Sequence, residues 1–162
     1  YILDKYNIWS TYAPEEQAIA IFYGSIYGNT ESAANALANK FGARGVKNIA
    51  VYDVSSTHVS TLISEAFRCS HLVFACPTYN NGIYPPMSDF LHDMKALTVQ
   101  NRTVGILENG TWAPSAGKLI QSELQEMKKM TVIEPVLTIK SSMTADQETT
   151  MDAFVDAFLK TL

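Results

Sequence analysis

Short apolar runs alternate along this chain with stretches that place an apolar residue every three or four positions. That alternation restricts the fold more than any other feature. Strands are expected at Ala18–Tyr23, Asn48–Asp53, His71–Ala75, Thr103–Leu107 and Val132–Ile139. Four of these are near-continuous apolar runs, as strands covered on both faces require; Asn48–Asp53 is more mixed. Between and after them lie five helical stripes: Ala33, Ala34, Leu37, Ala38 and Phe41; Val59, Leu62, Ile63, Ala66 and Phe67; Met87, Phe90, Leu91 and Met94; Ala116, Leu119, Ile120, Leu124 and Met127; Met151, Phe154, Val155, Phe158, Leu159 and Leu162. Their spacing assigns them to the sheet-facing core.

Local chemistry fits this division. Pro85 and Pro86 suit the first turn of the third helix, and Thr144 with Gln147 forms a capping box for the last. Five strand–helix units predict an α/β fold: a doubly wound five-stranded parallel sheet with helices on both faces and right-handed crossovers. In the strand order 2-1-3-4-5 the fifth strand lies at an edge. Pro135, inside that strand, is tolerated there.

The first fourteen residues show no clear period. Tyr6, Trp9, Tyr12 and Pro14 read either as a tether to an upstream domain or as a terminal arm packed on this one. The chain starts at Tyr1 rather than Met, so it is expected to belong to a longer protein. Residues 15–162 are expected to form one domain. At this length roughly 70% of the unfolded surface can be buried, without a disulfide or metal. Cys69 and Cys76 bracket an apolar run. On one strand they would stand about 20 Å apart at roughly 3.3 Å per residue, too far for a disulfide, which needs Cα atoms within about 7 Å. Two unpaired cysteines fit a reducing cytoplasm. A net charge of −4 argues against nucleic acid as a default partner, and no apolar run approaches the roughly 18 residues of a membrane helix.

In an open α/β sheet, ligands bind beyond the carboxyl ends of the strands, near the switch point between strands one and three. Three unusual loops should meet there. The first is Ser25-Ile26-Tyr27-Gly28-Asn29-Thr30. It is rich in hydroxyls, contains glycine, and opens a helix, whose free N–H groups and dipole favour an anion. It has no Lys or Arg and lacks the Lys-Ser/Thr ending of a nucleotide triphosphate loop. A single phosphate such as that of FMN fits better; a merely capped helix start is the alternative. The second is Pro77-Thr78-Tyr79-Asn80-Asn81-Gly82, whose polar groups can meet a heterocycle edge and whose Tyr79 can cover a ring. It also reads as an ordinary turn into Pro85-Pro86. The third is Glu108-Asn109-Gly110-Thr111-Trp112-Ala113-Pro114, in which Trp112 is either a ring-stacking platform or a local core plug. Together the loops point to a flat aromatic cofactor with a phosphate tail.

Other chemistry is sparse. His58, His71 and His92 lack metal-ligand spacing; His71 is expected to pack at a strand start and His92 to lie on a polar helix side. Asp53 stands where a dinucleotide fold places a ribose-binding acid, but Gly-x-Gly-x-x-Gly is absent, so a helix-entry role is preferred. Cys76 reads as a small buried strand-end residue rather than a nucleophile. No Ser-His-Asp or paired-carboxylate set stands out.

The stretch Ile21-Phe22-Tyr23-Gly24-Ser25-Ile26-Tyr27-Gly28-Asn29-Thr30, followed by Ala34 and Leu37, resembles the phosphate signature of flavodoxins. Thr78 to Pro86 and Glu108 to Pro114 resemble the second and third loops of a narrower group, the C-terminal flavodoxin domain of flavodiiron proteins (A-type flavoproteins). Tyr6, Trp9 and Ser10 resemble the end of that family's interdomain linker. Ile26 stands where Met is often found, and Thr111 where Ser is. The resemblance implies FMN held by Ser25 to Thr30, by Pro77 to Gly82 and by Asn109, Gly110, Thr111 and Trp112. It also implies an upstream metallo-β-lactamase-like domain with a di-iron centre that reduces O2 or NO. Electrons would come from rubredoxin or another reductase, within a head-to-tail homodimer. No His/Asp/Glu iron motif occurs in this chain, which would be the electron-entry module. A stand-alone flavodoxin and a flavin-dependent NAD(P)H/quinone oxidoreductase are the competing readings. A phospho-acceptor receiver would need acids at the strand ends, where this chain has hydroxyls and amides.

Overall fold

The computed structural model describes residues 2–26, 28–79, 82–110, 115–134, 136–139 and 145–162, with backbone alone at 7–9 and 79. Among these residues seven strands form one sheet: β1 (Glu16–Tyr23), β2 (Ile49–Asp53), β3 (Cys69–Tyr79), β4 (Gly82–Ile83), β5 (Arg102–Asn109), β6 (Met130–Val132) and β7 (Leu137–Ile139). The main order is β2-β1-β3-β5-β6, all parallel; β4 pairs antiparallel with the end of β3, and β7 pairs parallel with the end of β5.

The expected five strands in the order 2-1-3-4-5 are therefore corrected in number. β4 is a short return of the second loop along β3. The single strand expected over Val132–Ile139 is two, since β6 ends at Val132 and β7 begins at Leu137. The interruption contains position 135, whose proline cannot donate to a ladder. The other strands run longer than expected, except β2, which begins at Ile49. β3 gains most, extending back to Cys69 and on to Tyr79.

Among the described residues six helices accompany the sheet: α1 (Ile2–Ser10), α2 (Asn29–Ala43), α3 (Val59–Arg68), α4 (Pro85–Ala96), α5 (Ala116–Gln125) and α6 (Ala145–Leu159). α1 occupies the segment that lacked a sequence period. Alternate strand residues sort into two cores. Ile19, Ile21, Val73, Ala75 and Leu107 pack with α2 and α6. Ala18, Ala20, Phe22, Leu72, Phe74 and Ile106 pack with α3, α4 and α5. Burial on both faces explains the continuous apolar runs. The helical stripes hold apart from Val59, Leu119 and Leu162, which are exposed, and from Met127 and Leu162, which lie past the ends of α5 and α6. Gly105 lets α6 approach: a Cβ there would stand 2.5 Å from the Phe154 ring. Pro85 and Pro86 open α4; Thr144 lies outside the described residues.

His71 lies inside β3, two residues beyond its start, and is buried. Thr161 O accepts from its Nε2 at 3.2 Å, and Ser70 Oγ lies 2.7 Å from Nδ1. A carbonyl only accepts, so the ring proton belongs on Nε2 and Ser70 donates to Nδ1. Burial pushes the His71 pKa below its ordinary value, against the weaker opposing effect of the Thr161 carbonyl. The unfolded chain then binds more protons than the folded one between the lowered pKa and about 6.5. Stability from this site is complete above that window and falls as pH drops through it. Urea midpoints at several pH values should show this acid loss, and His71→Asn should reduce it. An identical pH profile in the variant would assign the loss to other groups.

Candidate functional site

The three loops leave the carboxyl ends of β1, β3 and β5, and side-chain bonds tie them to one another. Asn109 Nδ2, at the end of β5, donates to Thr30 Oγ1 in the first turn of α2 at 3.4 Å. Both residues are buried. Thr78 Oγ1, near the end of β3, accepts from the backbone N–H of Ser115 at 3.0 Å and of Ala116 at 3.3 Å. Loop one is thus held to loop three, and loop three to loop two.

The first loop has the form of an anion cradle. Ser25 Oγ accepts from Gly28 N–H at 2.9 Å and closes the turn. Gly28 caps α2 at φ +86°, a left-handed conformation that favours glycine, with open space where a Cβ would stand. Ser32 N–H donates to Gly28 O. The amides of Asn29, Thr30 and Glu31 precede that first intrahelical bond and make no intrahelical bond of their own. Thr30 Oγ1 accepts from Asn109, so its own proton remains to donate. Ile26 is exposed.

Glu31, which directly follows Thr30, lies close enough to Tyr23 to act on its phenol. Burial first, then the Glu31 and Asp53 carboxylates, push the Tyr23 phenol above its ordinary pKa, so it stays a neutral donor. Gly24 carries the chain between Tyr23 and the cradle. A Cβ there would lie 2.4 Å from Cδ2 of Tyr84, so the Tyr84 ring rests on the glycine backbone.

Of the residues expected to bind, Ser25, Ile26, Gly28, Asn29, Thr30, Pro77, Thr78, Gly82, Asn109 and Gly110 fall at these strand ends. Tyr27, Asn80, Asn81, Thr111 and Trp112 lie outside the described residues, as does the side chain of Tyr79. Gly82 belongs to β4, and Gly110 N–H donates to Ile139 O at 3.0 Å. Tyr23, Glu31, Tyr84, Glu108 and Ser115 also lie at these loops, beyond the expected set. Only the quoted loop resemblances, which included Tyr84 and Glu108, gave a signal for any of them outside the first loop. Ser115 Oγ is buried and is the one such side-chain atom without a hydrogen-bond partner among the described residues.

The remaining candidates recede. Asp53 Oδ1 accepts from Ser55 N–H and Oγ and stabilises a turn; the cap of α3 is His58, whose Nδ1 accepts from Ser60 N–H at 3.1 Å. His92 is exposed. No group of three metal-ligating side chains occurs among the described residues. Burial pushes the thiols of Cys76 and Cys69 up to about 12, so neither supplies a thiolate near neutral pH. Both are free cysteines. A cavity of about 490 Å³ bordered by Tyr12, Thr98 and Met127 lies at the amino ends of the strands, away from the loops. No described helix is long and apolar enough to cross a membrane.

Comparison with known proteins gives this arrangement a context. Rubredoxin-oxygen oxidoreductase of Megalodesulfovibrio gigas is 28% identical over 127 residues, covering 78% of this chain and 31% of that protein. A flavo-diiron protein of Clostridium acetobutylicum is 29% identical over 113 residues, covering 68% of this chain and 28% of that protein. The chain thus spans about a third of the length of these relatives. The structure of rubredoxin oxygen:oxidoreductase from Desulfovibrio gigas aligns with a TM-score of 0.90 at 23% identity, over 98% of this chain and 39% of that one. The flavodoxin family model matches residues 21–154. With its doubly wound parallel sheet and a family match over most of its length, this chain belongs to the flavodoxin family.

Proposed function

We propose that residues 15–162 bind FMN and form the electron-transfer domain of a flavodiiron protein. The observation that carries this reading is the linkage of three loops at one end of the sheet through Thr30–Asn109 and Thr78–Ser115. The residues present fit the cofactor. Gly28 opens a cradle without a side chain, helix amides and the Thr30 proton supply donors, and buried Ser115 Oγ offers an unused polar atom. The amides of residues 26–30 with Ser25 and Thr30 would hold the phosphate. Pro77 to Gly82 and Asn109 to Trp112 would hold the ring system. FMN supplies the one- and two-electron chemistry, while the protein binds, orients and shields it.

Residues 1–14 would then join this domain to an upstream metallo-β-lactamase-like domain carrying two irons. A rubredoxin-type protein or another reductase would deliver electrons, and O2 or NO would be reduced at the di-iron site in a head-to-tail homodimer. The cytoplasm is the expected compartment. The test is the mass, flavin and iron content of the native polypeptide containing this segment. A polypeptide far longer than 162 residues, with FMN and about two irons per chain, is the expected result. A short, iron-free, FMN-binding polypeptide would instead make it a stand-alone flavodoxin. Rapid turnover with NAD(P)H alone would favour a flavin-dependent quinone reductase.

A further inference from the structure

α5 does not cap itself. Its N-cap residue Ser115 makes no side-chain cap, and the first amides are taken by side chains from two strands. Thr78 takes those of Ser115 and Ala116. Gly117 N–H donates to Glu108 Oε2 at 2.7 Å. The other carboxylate oxygen, Oε1, accepts from Thr138 Oγ1 of β7 at 2.8 Å. Glu108 is buried, and Thr138 is its register partner across the β5–β7 ladder. A carboxylate at a helix N-terminus is favoured by the helix dipole. Gly117 permits the approach: a Cβ there would stand 2.7 Å from Glu108 Oε2 and 2.8 Å from Val136.

We propose that Glu108 is a positioning residue for the third loop, pinning the first turn of α5 and strand β7 to the end of β5. The inference rests on the FMN reading of that loop. Asn109 and Gly110 leave β5 directly after Glu108, and the loop re-enters described structure at Ser115, two residues before the amide Glu108 holds. One buried carboxylate therefore ties the strand end before the third loop to the helix turn after it. It needs no contact with the ligand itself.

Glu108→Ala and Glu108→Gln in the 162-residue chain separate positioning from charge. Glutamine can accept from Gly117 with its oxygen and donate to Thr138 with its amide; alanine does neither. FMN affinity is read by fluorescence titration, and the amides of Ala116 and Gly117 by hydrogen exchange. Glu108→Ala should weaken FMN at least tenfold and speed exchange at least tenfold with its circular dichroism unchanged. Glu108→Gln should stay within threefold on both. The proposal is overturned if alanine matches the parent, or if glutamine loses as much as alanine. Should Glu108→Ala fail to fold, Thr138→Val removes one of the two contacts. A severalfold change in exchange supports the proposal, and no change overturns it. If the parent chain binds no FMN, the cofactor reading fails while the exchange comparison still decides the role of Glu108.

Discussion

Arg102→Met is expected to melt about 10 °C below the parent and to release the N-terminal arm to proteolysis. Arg102 opens β5 and is 2% exposed, yet no carboxylate pairs with it among the described residues. Its donors go to main-chain carbonyls: Nε to Ala66 at 3.0 Å, Nη2 to Phe67 at 2.9 Å, and Nη1 to Tyr12 at 2.7 Å, Gln100 at 2.7 Å and Asn101 at 3.0 Å. Ala66 and Phe67 lie in the last turn of α3, where carbonyls lack intrahelical partners and the helix dipole favours a cation. Burial lowers the guanidinium pKa to about 10, so the charge persists at neutral pH.

The same network holds Tyr12 to the domain. Its carbonyl also accepts from Asn101 Nδ2 at 3.4 Å, and its hydroxyl meets Thr98 Oγ1 at 3.0 Å. Tyr12, Thr98 and Asn101 all have positive φ without being glycine, a conformation that persists only where surrounding contacts impose it. Each buried acceptor left unpaired costs about 1–3 kcal/mol. Water reaches some once the arm lifts, so a total near 3 kcal/mol is expected. For a domain of this size that lowers Tm by roughly 6–12 °C. Calorimetry and limited proteolysis check it. A shift under about 2 °C with the arm still protected would mean that the carbonyls find other partners. Arg102→Lys keeps the charge with three donors and should fall between.

The helix at the start of the chain was the part of the fold least legible in sequence. Among the described side chains of α1, Ile2, Leu3 and Tyr6 are largely exposed, and they form no buried stripe that a sequence period would mark. Its segment is tied down instead by Lys5–Glu15 at 3.0 Å and by Tyr12, contacts between distant positions that no local period encodes. The sheet was far more legible, because burial on both faces leaves unbroken apolar runs. It was misread at the split between β6 and β7: Ile133 N–H still bonds Val104 O on β5, but β6 ends at Val132 and pairing with β5 resumes only at Leu137, although apolar Ile133 and Val136 flank the break. Hydrophobicity tracks burial, and hydrogen-bond pairing depends on register. The first loop stands out in sequence because its hydroxyls and glycine are contiguous from Ser25 to Thr30. Glu108 was not identified as a site residue because its partners, Gly117 and Thr138, lie 9 and 30 positions away.

Thr30→Val should weaken FMN about tenfold to a hundredfold, and Thr30→Leu more. Thr30 is 2% exposed, and its one described side-chain partner is Asn109. Its hydroxyl accepts from Asn109, so its own proton is left as a buried donor. A hydrogen bond to a charged group contributes about 1.5–3 kcal/mol, and 1.4 kcal/mol is tenfold in affinity. Valine keeps the branched shape and removes only the hydroxyl, which also costs Asn109 its acceptor. Leucine adds volume where no exposed side exists, at a further cost of about 1–3 kcal/mol in a packed site. With no Lys or Arg in the loop, there is no side-chain charge to make up the loss. Riboflavin provides the control, because it lacks the phosphate. If the hydroxyl serves the phosphate, the parent's preference for FMN over riboflavin should shrink in Thr30→Val. If both ligands weaken equally, Thr30 acts through Asn109 on the third loop. Unchanged affinity for both would remove the phosphate from this loop, leaving Ser25 to Thr30 as a capped helix start.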